Sequence, residues 1–126
     1  MKSLTLLLVS SLFFFSISGI GSARDVEIVP GIPVKDTVTI VDLGANTCIP
    51  CKMMAPILEE LKAEYKGRAE VIFIDVWKDR SKVKEFNLIS IPTQIFYNKE
   101  GQEVYRHMGF LDKESIREIL DSLMVE

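Results

Sequence analysis

The only two cysteines of this 126-residue chain lie in the stretch NTCIPCKMMAPILEEL, residues 46–61, as Cys48 and Cys51. Two thiols at this spacing can perform three kinds of chemistry. They can form a permanent structural disulfide, contribute to a metal site, or cycle between dithiol and disulfide. The other residues of the chain discriminate between these uses.

A structural disulfide and a metal site are both poorly supported alternatives. A cross-link over so short a loop contributes only about 2 kcal/mol in the chain-entropy model. Zinc sites need three or four protein ligands, whereas the chain has no third cysteine and one histidine, His107. A c-type haem motif would need histidine after Cys51, where Lys52 stands. Capture of a soft metal by the two thiols is the remaining metal alternative.

Redox cycling needs an activated thiolate and a shielded partner, and the sequence supplies both. Cys48 falls where a loop meets a predicted helix, whose free N–H groups and dipole favour negative charge. Cys51, in the first helical turn, can face inward and resolve a mixed disulfide formed by Cys48. The sequence therefore favours thiol–disulfide exchange.

The elements that position the pair alternate between strand and helix. Apolar, largely β-branched runs predict four strands, at 37–43, 70–75, 91–97 and 102–107. Helical spacing predicts helices at 51–65 and 80–86, and a closing helix with Asp112 as its N-cap. The short turn 98–101 indicates an antiparallel hairpin. This order predicts an α/β fold, a mixed sheet with helices on both faces.

The first 23 residues have the layout of a secretory signal peptide. Lys2 gives a basic start, residues 4–20 are mostly apolar, and small residues precede a cleavage point after Ala23. An uncleaved membrane anchor formed by residues 4–20 is the alternative. We expect one mature domain at 24–126, in a compartment that permits disulfides. The net charge of -3 argues against nucleic-acid binding.

Two longer stretches resemble the thioredoxin family. TIVDLGANTCIPCKMMAPILEEL is similar to its strand, active-site loop and helix, with Asp42 six residues before the first cysteine. SIPTQIFYNKEG resembles its cis-proline strand and hairpin turn, and HMGF its glycine after the last strand. The resemblance spans about residues 37–125. It implies a thioredoxin-like α/β fold with a mixed four- to five-stranded central sheet flanked by helices on both faces.

The resemblance implies catalytic roles for four residues. Cys48 is the attacking thiol and Cys51 the resolving one. Pro92 is cis, faces the disulfide and leaves backbone groups free to hold an extended substrate. Asp42 is a carboxylate buried beneath Cys51 that transfers protons through water, and burial should raise its pKa. An ordinary strand-end aspartate is the alternative for Asp42.

The chain also departs from the family pattern. Gly44 and Thr47 stand where tryptophans are common, so the substrate platform is less aromatic. We assign Val71 to the position of the family's buried lysine, which leaves Asp42 without a cationic partner. We expect Trp77 to fill part of the space at Gly44, with a surface tryptophan as the alternative. These departures favour a specialised, exported relative.

The sequence thus predicts an exported, periplasmic thiol–disulfide oxidoreductase that reduces protein disulfides. Ile49 and Pro50 bring no charge or donor to Cys48, unlike the loops of strong oxidants. By family analogy, the clients are exported proteins such as apocytochrome c, and the electron donor is a membrane thiol carrier. We expect a monomer whose redox group is the Cys48–Cys51 disulfide, with no other cofactor. The alternatives are an oxidase or isomerase, or a thioredoxin-fold binding module with an idle disulfide.

Overall fold

The computed structural model describes residues 31–125, and its elements follow the predicted order. The strands are β1 (Val38–Gly44), β2 (Ala69–Asp75), β3 (Thr93–Tyr97) and β4 (Glu103–Met108). The helices are α1 (Ile49–Glu64), α2 (Ser81–Glu85) and α3 (Lys113–Met124). Each predicted element is present within about two residues of its expected bounds, the usual uncertainty of element ends. The predicted signal segment 1–23, and the anchor that is its alternative, lie outside the described residues.

The four strands form one mixed sheet in the order β2-β1-β3-β4. β1 and β2 are parallel, whereas β1–β3 and β3–β4 are antiparallel. The predicted hairpin and the mixed sheet are therefore confirmed, with four strands in the described part of the chain. All seven residues of β1 are buried, as its continuous apolar run predicted.

The side chains of β1 alternate between two apolar clusters. Val38 and Ile40 pack with α1 and α3, while Val41 and Leu43 pack in a second cluster on the opposite face. Asp42 shares the alternation of Val38 and Ile40. Its carboxyl group is therefore directed to the face that α1 covers.

Helix α1 packs on this face through a stripe of buried side chains, Met54, Leu58 and Leu61. Pro50 occupies the first turn, where a missing N–H costs nothing. Asp112 caps α3 by accepting the Ser115 N–H at 2.9 Å, which confirms its predicted role. Within residues 31–125, no helix has the length and apolar character needed to cross a membrane.

Candidate active site

Cys48 and Cys51 form a disulfide at the beginning of α1, with their Cα atoms 5.2 Å apart. Cys48 is the N-cap, and its Sγ accepts the Cys51 N–H at 3.4 Å. Cys48 is half-buried, whereas Cys51 is only 3% exposed. The structure thus confirms the predicted arrangement of one accessible and one shielded sulfur. No group of three or more His, Cys, Asp or Glu that could hold a metal ion occurs within residues 31–125.

Strand β1 approaches the inner cysteine closely because residue 44 is glycine. A Cβ atom at Gly44 would lie 3.2 Å from Cys51 Sγ and 3.1 Å from Cε2 of Phe73. The prediction that Trp77 fills this space is wrong, because Phe73 packs there. Trp77 follows the end of β2, in a turn where Asp75 accepts its N–H at 3.0 Å. Its indole is 54% exposed and lines a separate pocket.

Asp42 is completely buried, two residues before Gly44 on the same face of β1. Its neighbours across the sheet are Phe73 on β2 and Gln94 on β3. Val71, which we assigned to the position of the family's buried lysine, pairs with Ile40, and Phe73 two residues later is the neighbour of Asp42. A shift of two residues keeps the same face but moves the side chain one step along the strand. Within the described residues, no cationic side chain bonds to Asp42.

The hydrogen-bond partner of Asp42 is a buried, uncharged amide group. Gln94 Nε2 donates a hydrogen bond of 2.7 Å to Asp42 Oδ1, and both residues are fully buried. Burial raises the pKa of the Asp42 carboxyl to about 6, and the bond from Gln94 opposes this rise. The predicted direction is confirmed. A carboxyl group with such a pKa can exchange protons near neutral pH.

Two buried oxygens of this pair have no hydrogen-bond partner within residues 31–125. They are Asp42 Oδ2 and Gln94 Oε1. Unpaired polar atoms are costly in a protein interior, so they commonly mark a site of chemistry. Asp42 Oδ2 is therefore the oxygen available for a proton.

Pro92 lies at the same end of the sheet as the disulfide. The Ile91–Pro92 peptide bond is cis, as predicted. The next residue, Thr93, pairs with Leu43, which places Pro92 level with Gly44. The Pro92 carbonyl accepts the Gly109 N–H at 2.8 Å, whereas the N–H and C=O of Ile91 make no hydrogen bond within the described residues. The free backbone groups at this position thus belong to Ile91.

An apolar surface extends from the disulfide end of the sheet. Ile49, between the cysteines, is 75% exposed, and Ile89 is 85% exposed. A pocket of about 360 Å³ lies nearby, lined by Val76, Trp77, Arg80, Val83, Leu88, Ile89, Ser90 and Ile91. Because the Val76 N–H bonds to the Gly44 carbonyl at 2.9 Å, this pocket begins at the same edge as the active site. Such a surface suits an extended apolar segment of polypeptide.

This site combines a Cys-x-x-Cys disulfide at a helix N-terminus with a buried carboxyl group on the adjacent central strand. A mixed sheet in the order β2-β1-β3-β4 holds both. Together these features define a thiol–disulfide oxidoreductase of thioredoxin-like fold.

Comparisons with known proteins agree with this class. The family model Thioredoxin matches residues 27–122. The thioredoxin of Staphylococcus aureus is 44% identical over 88 residues, which make up 70% of this chain and 84% of the relative. The crystal structure of chloroplastic thioredoxin z, which "defines a novel type-specific target recognition", has a TM-score of 0.66 and 31% identity. The match covers 72% of this chain and 81% of that one. The chain belongs to the thioredoxin family and is a thiol–disulfide oxidoreductase.

Neither Gln94 nor Phe73 is among the site residues predicted from the sequence, although both lie beside Asp42. Gln94 carried a signal, since an amide interrupts the apolar run of β3. Phe73 carried none, because an aromatic residue in a strand is ordinary. Only the register of the sheet shows that the two residues flank the same carboxyl group.

Proposed function

We propose that this protein reduces disulfides of exported proteins, using the Cys48–Cys51 pair as its redox group. The supporting observation is the surroundings of Cys48 Sγ, whose one hydrogen bond within residues 31–125 comes from the Cys51 N–H. Ile49 and Pro50 add no charge or donor. Strong oxidants heavily stabilise their reduced thiolate, and this loop has few means to do so. The pair should therefore be reducing.

The proposed reaction is a two-step exchange that transfers two electrons to the client. The Cys48 thiolate attacks one sulfur of the client disulfide, forming a mixed disulfide and releasing one client thiolate. Cys51 then loses its proton to Asp42 through water and attacks the Cys48 sulfur. The Cys48–Cys51 disulfide forms and the second client thiolate leaves. Asp42 and solvent each supply one proton to the client thiols.

The surface around the disulfide supports binding of an extended client segment. The free N–H and C=O of Ile91, before the cis Pro92, can pair with the client backbone, as the strands of a sheet do. The exposed side chains of Ile49 and Ile89 provide apolar contact beside it. A membrane thiol carrier would then reduce the disulfide again, and its own dithiol would be oxidised. Apocytochrome c and misoxidised exported proteins are the proposed clients.

Export to the periplasm is part of the proposal and rests on the pattern of residues 1–23. The basic start, apolar run and small residues before Arg24 support cleavage after Ala23. Intact-mass analysis of the exported protein should give a chain that begins at Arg24. A mass that matches all 126 residues would instead indicate an anchor.

The decisive experiment is the reduction potential of the Cys48–Cys51 pair, measured by equilibration with glutathione buffers and thiol trapping. We expect a value nearer the roughly -270 mV of thioredoxin than the roughly -120 mV of the strongest periplasmic oxidant. A value above about -150 mV would favour the oxidase alternative. A parallel turnover assay with a small disulfide substrate tests the binding-module alternative, which predicts no turnover.

A further inference from the structure

We propose that Gln94 is a positioning residue for the redox reaction. Its amide group holds the Asp42 carboxyl in both protonation states and leaves Oδ2 free to exchange a proton with Cys51. This inference rests on the proposed function, because it concerns the proton that leaves Cys51 in that reaction.

The geometry isolates the Asp42–Gln94 pair from other polar side chains. The two residues are direct partners on antiparallel strands, and the bond from Gln94 Nε2 to Asp42 Oδ1 measures 2.7 Å. On the other side of Asp42, β2 presents the apolar side chain of Phe73. Gln94 is therefore the one side chain within residues 31–125 that hydrogen-bonds to this carboxyl group.

Few other groups that titrate or carry charge face the pair. The buried face of α1 consists of Cys51, Met54, Leu58 and Leu61, and that of α3 of Ile116, Leu120 and Leu123. Of these, only Cys51 can titrate. One strand beyond Gln94, β4 places His107 in register with it, and His107 Nε2 lies 3.1 Å from the Phe110 carbonyl oxygen. His107 is the titratable residue that neighbours Gln94 across the sheet, and it supplies a matched control.

An amide suits a carboxyl group that must gain and lose a proton in every cycle. It donates a hydrogen bond without adding a charge, whereas lysine would add a positive charge and leucine would donate nothing. With Asp42 ionised, Gln94 Nε2 donates to Oδ1, as the structure shows. With Asp42 protonated on Oδ2, Oδ1 remains an acceptor, so the same bond from Gln94 Nε2 persists, although it is weaker than the bond to the ionised carboxylate. Because an unpaired buried polar group is costly, pairing in both states eases proton transfer.

The same bond leaves Oδ2 for the inner cysteine. Gln94 occupies Oδ1, while Oδ2 has no partner within the described residues. Gly44, on the same face of β1, backs directly onto Cys51. In the proposed step, the Cys51 S–H bond breaks, its proton reaches Asp42 Oδ2 through water, and the electron pair stays on sulfur. Asp42 later gives that proton to the released client thiolate.

The test replaces Gln94 by methionine, which has a similar length and no amide. Carboxyl-carbon NMR follows the titration of Asp42, and single-turnover reduction of a disulfide substrate gives the pH–rate profile. In Gln94→Met we expect the Asp42 midpoint to rise by about one pH unit, a tenfold change in the protonation equilibrium. The alkaline shift should appear in the pH–rate profile as well. His107→Gln should leave both readouts unchanged.

A double mutant and a wild-type measurement complete the test. In an Asp42→Asn background, Gln94→Met should cause no further change in the pH–rate profile, because the titrating partner is gone. In the wild type, the side-chain amide resonances of Gln94 should move with the midpoint of Asp42. This second measurement remains decisive if Gln94→Met does not fold.

Three outcomes would overturn the inference. The first is an unchanged titration midpoint of Asp42 in Gln94→Met, and the second is an equal shift of that midpoint in His107→Gln. The third is a set of Gln94 side-chain amide resonances that do not change as Asp42 titrates. Failure of the proposed function has a different signature, namely wild-type protein that does not reduce disulfides. The NMR titrations test the role of Gln94 towards Asp42 in either case.

Discussion

The two ends of helix α1 differ in whether the buried polar groups beside them have hydrogen-bond partners. At its first turn lie the disulfide, the glycine that backs it and the buried carboxyl of Asp42, whose Oδ2 has no partner within residues 31–125. At its last turn, Tyr65 is 1% exposed, yet its hydroxyl donates to Asp121 Oδ1 at 2.8 Å. The first turn thus has a buried oxygen without a partner in the described part of the chain, whereas the buried hydroxyl at the last turn is hydrogen-bonded.

Ion pairs reinforce the last turn of α1 against α3. Arg117 donates two hydrogen bonds to the Glu64 carboxylate, at 2.7 and 2.9 Å. Lys113 pairs with Glu60 at 2.6 Å. These groups are partly exposed, so their individual contributions are small, but together they hold the helix in place. The fold therefore stabilises one end of α1 and places its poorly satisfied polar groups at the end that carries the chemistry.

The sharpest test of the reactive end is the removal of either sulfur. Cys51→Ser should lower disulfide-reductase turnover to the uncatalysed rate and accumulate mixed disulfides through Cys48, because the resolving thiol is lost. Thiol trapping followed by mass analysis would identify these complexes. Cys48→Ser is the matched control and should trap few clients. Better trapping by Cys48→Ser would mean that the two roles are reversed.

The next largest expected effect is a pH dependence of the free energy of unfolding, caused by Asp42 beside the first turn of α1. The pKa of Asp42 rises from 3.8 to about 6 in the folded protein, because burial disfavours the charged form. Its contribution to stability is therefore fully present below about pH 4 and is lost as pH rises through about 6. The free energy of unfolding should fall by about 3 kcal/mol over this interval.

Asp42→Asn checks this prediction because it removes the titration and keeps a similar shape. Urea unfolding of the oxidised protein from pH 4 to pH 8 should show the variant gaining up to about 3 kcal/mol on the wild type as pH rises. Its turnover should nevertheless be slower, since the proton acceptor is gone. Parallel pH curves for the two proteins would contradict the assignment of the titration to Asp42.

Tyr65→Phe should have the opposite combination of effects. It removes the hydroxyl that bonds to Asp121 and keeps the ring, over which the Arg68 guanidinium lies 4.7 Å from the centroid. We expect a loss of about 1–2 kcal/mol in the free energy of unfolding, with unchanged turnover. Urea unfolding beside a turnover assay measures both. A Tyr65→Phe variant with normal stability and slow turnover would contradict the claim that the last turn of α1 serves stability and the first turn serves the reaction.

The smallest expected effect is that of Glu64→Gln. The bonds from Arg117 hold the pKa of Glu64 below its ordinary value, so this pair stabilises the fold above that value and less as pH falls. Because the pair is partly exposed, the melting temperature should fall by no more than about 4 °C at pH 7. High salt should reduce the difference. A larger fall in melting temperature that salt does not change would show that the Glu64–Arg117 pair contributes more to stability than a partly exposed ion pair does.

The sequence alone determined the elements and the chemistry of the pair. Apolar periodicity located every strand and helix described, and the spacing of Cys48, Cys51, Asp42 and Pro92 carried the resemblance to the family. These signals are local, because each depends on residues a few positions apart. The resemblance in turn implied the burial of Asp42, and burial predicts the direction of its pKa shift.

Only the tertiary structure decided what surrounds the carboxyl group. Asp42 and Gln94 lie 52 residues apart in the sequence, and the antiparallel register of β1 and β3 brings them together. The parallel register of β1 and β2 likewise places Phe73, and not Val71, beside Asp42. A shift of two residues in either register leaves every strand's pattern intact but changes which side chains meet. The local sequence pattern therefore does not determine which residue pairs with Asp42. The packing of the whole sheet determines it.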